Sequence, residues 1–272
     1  QEKWVSRLEA IRELEDLPFP NPYGEECPIR DLGTLGGGNH FAEFQCVERI
    51  YDKDAAGDLG LCTGRILLLI HCGSRGYGQD ILSRFFEPAG LEDGSARAEA
   101  YMAEHDRAFM WAERNRMSVA EKLLTWLGSS SEPGLLLDSC HNYLERTEAG
   151  LLHRKGSVSA RKGAVVIPGS RGSLAYVCIP REDTAVSLYS LSHGAGRKWA
   201  RSICKSRIDQ KYDRYSIRCT GLKSRVVCHD TNLLFAEAPE AYKNVEQVMG
   251  VLQEYGLIDI AATLRPLITF KG

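Results

Sequence analysis

One long helical pattern, from about Ala96 to Leu127, is set among short apolar runs and glycine turns, and it constrains the fold of this 272-residue chain more than any other feature. Around it, residues 41–47 alternate like a strand, and residues 66–70 form a continuous apolar run that reads as a buried strand ending at His71. Residues 128–134 are the clearest loop, and Leu135 to Leu137 reads as another short buried strand. Strand-like runs dominate residues 158–227. Residues 238–255 have amphipathic helical spacing, and residues 258–270 close the chain as strand. Residues 4–17 have the spacing of a helix, ended by the proline-rich 18–22. This order is not a regular βαβ alternation. It predicts an α+β fold, with mixed sheets and flanking helices in a single domain over residues 1–272.

No apolar run approaches a membrane span and no secretory leader is visible, so no membrane partner is expected. The chain begins at Gln1, as a processed chain or a fragment would. Its nine cysteines include no Cys-x-x-Cys pair, which excludes a zinc ribbon or a thioredoxin motif. Their odd number argues for reduced thiols and a cytoplasmic location, and most read as small core residues. The net charge of −2 hides an asymmetry: residues 149–229 carry 16 Lys/Arg against four acids, leaving 18 bases and 32 acids elsewhere. Such a distribution favours a face that meets a polyanion over a merely solvated one.

The candidate chemistry centres on residues 186–207. Val186 to Leu191 reads as a strand, Ser192 to Gly196 as a tight loop, and Arg197 onward as a helix start. Amides at a helix N-terminus bind phosphate, and His193 at the mouth of such a cradle is placed to attack phosphorus. His40, His71 and His141 lie at comparable boundaries, in Asn39-His40, in the run from His71 to Gly76, and in His141-Asn142. A structural role is the commoner one for any single histidine, but four in parallel contexts reverse the odds. Three imidazoles suit a divalent metal and the fourth suits catalysis. Cys72 and Cys140 adjoin two of them but alternate to the opposite face, as packing residues would. His105, with Tyr101 and Phe109 one turn to either side, reads as structural, as does His229. His153 and Lys155 belong to a basic strip. Pro168-Gly169-Ser170-Arg171-Gly172 suits a nucleotide about as well as it suits a plain β-turn. The chain lacks a Gly-x4-Gly-Lys-Ser/Thr loop, a Gly-x-Gly-x-x-Gly fingerprint and a Lys-x-Asp-Gly nucleophile motif, so a covalent nucleotide would have to sit on histidine.

Together these stretches resemble the RtcB family of GTP-dependent RNA ligases. The resemblance spans residues 33–43, 71–78, 139–143, 153–156, 168–172 and 192–201, with Lys271-Gly272 as a seventh segment. It implies an RtcB-like fold and an enzyme joining RNA 3′-phosphate or 2′,3′-cyclic phosphate ends to 5′-hydroxyl ends in tRNA splicing or RNA repair. GTP and two Mn²⁺ ions are the implied cofactors. His193 would take GMP, with manganese held partly by His40, His71 and His141. Asn39, His40, Phe41, Ala42, Glu43, His141, Asn142, Pro168, Gly169, Ser170, Arg171, His193, Gly194, Ala195, Gly196 and Lys271 would surround GTP. Arg75, Lys155, Arg197 and Arg201 would contact RNA phosphates. A monomer is expected, and whether an activating protein is needed, as for some relatives, is left open by the sequence.

The chain departs from the family where Pro-Gly-Ser-Met-Gly and a later Ser-Tyr are usual. Arg171 replaces the Met, adding a phosphate donor, and Ala175 replaces the Ser, removing a hydroxyl from the guanosine contact. The family's Asp-x-x-Cys metal motif, and an aspartate that orients the histidine, would lie in a preceding region. The charges agree, since three neutral imidazoles offset none of the four charges of two divalent ions. These residues are therefore expected to be the larger C-terminal part of a longer ligase, binding metal poorly alone. A metal-dependent phosphoesterase or nuclease, or an inactive RNA-binding fragment, are the competing readings.

Overall fold

A computed structural model of the chain describes residues 31–129 and 134–272. The helix expected over residues 4–17, its proline stop and Cys27 lie outside the described residues. The elements in order are β1 (Phe41–Ile50), α1 (Lys53–Asp58), β2 (Ile66–His71), α2 (Arg75–Phe85), α3 (Ala96–Leu127), β3 (Asn142–Thr147), β4 (Gly150–Lys155), β5 (Ser157–Ser159), β6 (Val165–Pro168), β7 (Ala175–Pro180), β8 (Ser190–Ser192), α4 (Arg201–Ile208), β9 (Arg225–Val227), α5 (Thr231–Ala236), α6 (Val245–Glu254) and β10 (Ile258–Phe270). The fold is α+β. Its main sheet runs β2-β1-β10-β7-β6, antiparallel throughout, and β9 pairs parallel with the end of β10.

β10 is the spine of the sheet. One side pairs with β1 over most of its length, while the other is shared between β7, up to Leu264, and β9, from Ile268. Pro266 can donate no ladder hydrogen bond, and it sits at the bulge where pairing shifts between Phe44↔Ile268 and Gln45↔Pro266. Beyond this bulge Ala42, Phe44, Ile268 and Phe270 pack with Leu35, Cys72, Val119 and Leu123 into a core beneath α3. Alternation sends Glu43 and Thr269 to the opposite face.

α3 begins and ends where its spacing predicted, because both ends are chemically marked. The Ser95 side chain accepts from Ala98 N–H, and Gly128 closes the helix in the left-handed conformation. Midway, Asn115 is fully buried and accepts from the N–H groups of Gly33 and Thr34 while donating to Thr34 O; Lys122 Nζ donates to Gly33 O. The helix thus holds the glycine turn that leads to Asn39 and His40. At Gly36 (φ +73°) the backbone is left-handed and the Arg75 guanidinium lies where a Cβ would project, so a larger residue would be strained and would displace that side chain.

Four expectations need correction. Residues 186–189 are not strand: Ala185–Ser187 is a 3₁₀ turn, Leu188 and Tyr189 have positive φ, and Val186 and Leu188 are exposed. The partner β5 is three residues long and can pair only with Ser190–Ser192. Leu135 to Leu137 is irregular and joins no strand ladder among the described residues, with Leu135 and Leu136 exposed. β2 is a strand but a half-buried one, since it pairs only with β1 and forms the sheet edge. The helix expected over 238–255 is confined to Val245–Glu254. Pro239 opens a separate 3₁₀ turn, Tyr242 bridges to Arg197, and the Asn244 side chain caps the helix proper.

Candidate active site

His193 follows β8 directly, and its ring is locked from the backbone. Nδ1–H donates to Gly156 O at 2.7 Å. A carbonyl can only accept, so Nδ1 carries the proton and Nε2 keeps its lone pair in the neutral ring. Gly156 supplies this acceptor from a left-handed conformation (φ +66°) between β4 and β5. Among the described residues the group that holds Nδ1 is a main-chain carbonyl.

The other three histidines converge on the same place. Ring centroids of His141 and His193 are 4.3 Å apart, those of His71 and His141 5.0 Å, and those of His71 with His40 and with His193 6.1 Å each. β1 and β2 bring Phe41 and His71 into register, and His40 immediately precedes β1. Burial and neighbouring rings hold the His141 pKa down to about 4 and that of His71 well below the usual value. His40 is lowered too, by burial and then by Arg75. All three are therefore neutral at pH 7, with lone pairs to offer.

His71 Nε2 and His141 Nε2 stand 3.3 Å apart. With metal–nitrogen bonds of about 2.0–2.1 Å, two imidazoles on one tetrahedral cation would be separated by roughly 3.3–3.4 Å, so this pair fits a shared cation. His40 Nδ1–H donates to Leu35 O at 3.0 Å, which leaves its Nε2 as the coordinating atom. The set is incomplete, since no group of three or more His, Cys, Asp or Glu among the described residues is arranged to hold a metal. Cys72 is buried, accepts from Asn115 Nδ2 and has its thiol pushed up to about 11 by burial, which suits the packing role expected of it.

Beside the histidines opens a cleft lined by Asn39, Phe41, Glu43, Pro168 to Arg171, His193 to Gly196 and Lys271, segments of the predicted nucleotide set. The two glycine turns are fastened together by Ala195 N–H donating to Pro168 O. A Cβ on Gly194 would stand 3.1 Å from that same oxygen. Four expected residues, His40, Ala42, His141 and Asn142, do not line the cleft. The Ala42 side chain is buried in the core under α3, and His141 and Asn142 line a second cleft together with His40. The phosphate cradle also differs from its expected form: α4 starts at Arg201, not Arg197, so the loop is not a helix N-terminus. Arg197 is held in extended backbone bridged to Tyr242.

Of the expected RNA contacts, Arg197 and Arg201 line the first cleft, Arg75 lines the second, and Lys155 is exposed on β4 opposite Asn142. His153 is also exposed there, on the same face. His105 is structural as expected, its Nε2 accepting from Leu144 N–H and tying β3 to α3. His229 is exposed, so the structural role expected of it finds no support. Arg171 is buried and donates to Ile217 O, while its Nε and Nη1 have no hydrogen-bond partner among the described residues.

Sequence reading missed Gln45, Ser173, Glu237, Tyr242 and Thr269, which also line the cleft. Gln45 donates to Glu43 Oε1 and Thr269 donates to Oε2. Strand alternation from Glu43 points to Gln45, and only the β1–β10 register reveals Thr269. Fully buried Glu237 accepts from Arg197 Nη1 at 3.0 Å, from Arg201 Nε at 2.8 Å and from the Tyr242 hydroxyl. No local motif marks Glu237 or Tyr242.

A histidine ring held from its Nδ1 side, anchored arginines and a lysine around one cleft can carry out group transfer at phosphorus. Comparison with known proteins agrees in kind. A family model described as "tRNA-splicing ligase RtcB" matches residues 20–272. The chain is 40% identical to the RNA-splicing ligase RtcB2 of Escherichia coli, covering all of this chain and 73% of that protein. It is 30% identical to the tRNA-splicing ligase RtcB of Archaeoglobus fulgidus and 29% identical to an RNA-splicing ligase RtcB homolog of Entamoeba histolytica, covering 59% and 54% of their lengths. The chain belongs to the RtcB family.

Proposed function

We propose that this chain carries the catalytic machinery of an RNA ligase that joins 3′-phosphate or 2′,3′-cyclic phosphate ends to 5′-hydroxyl ends through a GMP–histidine intermediate. The observation that carries this reading is the His193 ring, whose Nδ1–H is committed to Gly156 O while Nε2 remains free beside the cleft. In the first step the Nε2 lone pair forms a bond to the α-phosphorus of GTP, the bond to the β-phosphate oxygen breaks, and pyrophosphate leaves. An RNA 3′-phosphate oxygen then takes the GMP and the imidazole recovers its lone pair. Attack of the 5′-hydroxyl on the activated 3′-phosphorus displaces GMP and makes the phosphodiester.

Glu43, Lys271 and the two glycine turns would hold the nucleotide. Arg197 and Arg201, fixed through Glu237, would steady phosphate oxygens. Arg75 and Lys155 would meet RNA backbone without reading sequence. Manganese, held partly by His40, His71 and His141, would neutralise phosphate charge when bound.

The test uses RNA strands of defined ends, GTP and Mn²⁺. Ligation by the full-length protein, lost in His193→Ala, supports the reading. Strand cleavage or phosphate release without GTP favours the phosphoesterase instead, and RNA binding unchanged by His193→Ala with no nucleotide effect favours an inactive binding module.

A further inference from the structure

Arg171 sits at the tip of the turn that joins β6 to β7, whose closing pair is Pro168 and Ala175. The turn is locked from within by Gly169 N–H donating to Leu174 O and Ser173 N–H donating to Ser170 O. Outside it, Ser224 Oγ donates to Arg171 O and Arg171 Nη2 donates to Ile217 O, so main chain and side chain are both held. The residue is 8% exposed and lines the first cleft. Its Nε and Nη1 are the only buried side-chain donors of that cleft without a hydrogen-bond partner among the described residues, and Gln45 Oε1 is the only such acceptor. Buried polar groups are almost always paired, so orphans that line a cleft point to the atoms of a ligand.

What Arg171 lacks is an acceptor rather than a countercharge. Burial works against its charge, while Cys228, Glu240 and Glu237 work for it. A neutral acceptor therefore suits this position better than a phosphate. The phosphates have another place, since the α-phosphorus has to meet His193 Nε2, and the cations acting most on neighbouring His40 are Arg75, Lys271 and Arg201. We propose that Arg171 is a specificity-determining residue that reads the acceptor edge of the nucleotide's guanine base, O6 and N7. The assignment rests on the ligase reading above. Donation to this pair of atoms is the commonest base-specific contact of arginine. Adenine carries an amino group where guanine carries O6, which would set donor against donor. Gln45 Oε1 complements the guanine 2-amino group, a donor that adenine lacks. The methionine usual in the family at this turn has no donor to offer, so this reading of the base belongs to chains with arginine here.

The experiment measures, by calorimetry, the binding of GMP and of 7-deaza-GMP, which carries C–H in place of N7, to the full-length protein. GMP has no pyrophosphate to lose, so no transfer accompanies binding. Wild type is expected to bind 7-deaza-GMP at least about fivefold more weakly than GMP. Arg171→Met should bind both alike, at about the weaker level, and Arg171→Lys, which keeps a donor, should fall between. An unchanged thermal midpoint separates a lost contact from a lost fold, and the wild-type ratio tests the assignment even where a variant fails to fold. Equal binding of the two nucleotides by wild type, or a ratio that survives Arg171→Met, overturns the assignment and leaves the ligase reading standing. Absence of any GMP binding contradicts the ligase reading itself, and the assignment with it.

Discussion

Glu43 and Lys271 are charged groups buried in the cleft wall, and each is displaced towards neutrality. Burial raises the Glu43 pKa from 4.5 to about 7, against the opposing hydrogen bonds from Thr269 and Gln45 and the charge of Lys271. Burial lowers Lys271 to about 8. Between pH 4.5 and 7 the folded chain binds the Glu43 proton more tightly than the unfolded chain does, so stability contributed by the protonated carboxyl is lost as pH rises through that window. At 1.36 kcal/mol per pH unit the full loss is roughly 3 kcal/mol. Lys271 acts in the opposite sense, with stability gained as pH rises from about 8 to 10.5. Glu43→Gln should flatten the profile of urea unfolding free energy between pH 5 and 7 and leave the alkaline limb in place. A wild-type slope in that variant would show that Glu43 titrates normally.

At the scale of elements, the site depends on long-range ties. Glu237, between α5 and a 3₁₀ turn, fixes the segment before α4 by accepting from both Arg197 and Arg201. Glu237 is buried but the arginines it would leave unpaired are partly exposed, so the loss is that of hydrogen bonds to a charged group, about 1.5–3 kcal/mol. Glu237→Ala should lower the unfolding free energy by about that amount, with Glu237→Gln intermediate; a change under about 1 kcal/mol in chemical denaturation would contradict the pairing. Gly36→Ala forces a left-handed alanine against the Arg75 guanidinium and should cost at least about 1 kcal/mol. The same ties explain which elements were legible. α3 could be bounded from sequence because Ser95 and Gly128 mark its ends locally. The start of α4 could not, because Arg197 is drawn out of helix by Tyr242 and Glu237, some 40 residues on. The β3–β4 hairpin was visible only as two motif fragments, Ser139 to Tyr143 and His153 to Gly156.

Across the whole molecule, β10 gathers the site. It pairs with β1, which carries Glu43 and Gln45, and with β9, and it ends one residue before Lys271. The four histidines could be grouped from sequence because each follows a strand or glycine boundary. That they sit together is a property of sheet topology, which no local pattern encodes. Of the basic stretch 149–229, Arg197 and Arg201 line the first cleft, whereas Lys155 lines neither. Among the described residues no helix is long and apolar enough to cross a membrane, and the eight described cysteines are free thiols. RNA affinity should fall with salt, and Lys155→Ala should reduce the slope of log K against log salt by about 0.7, the value for one lost single-strand phosphate contact. An unchanged slope would remove Lys155 from the interface. The central claim, that His193 Nε2 becomes bonded to phosphorus, is tested most directly by α-labelled GTP with Mn²⁺, followed by denaturation and mapping of the labelled peptide. Acid-labile label on His193, absent from His193→Ala, is the expected result; label that persists in His193→Ala, or maps to another residue, would contradict it.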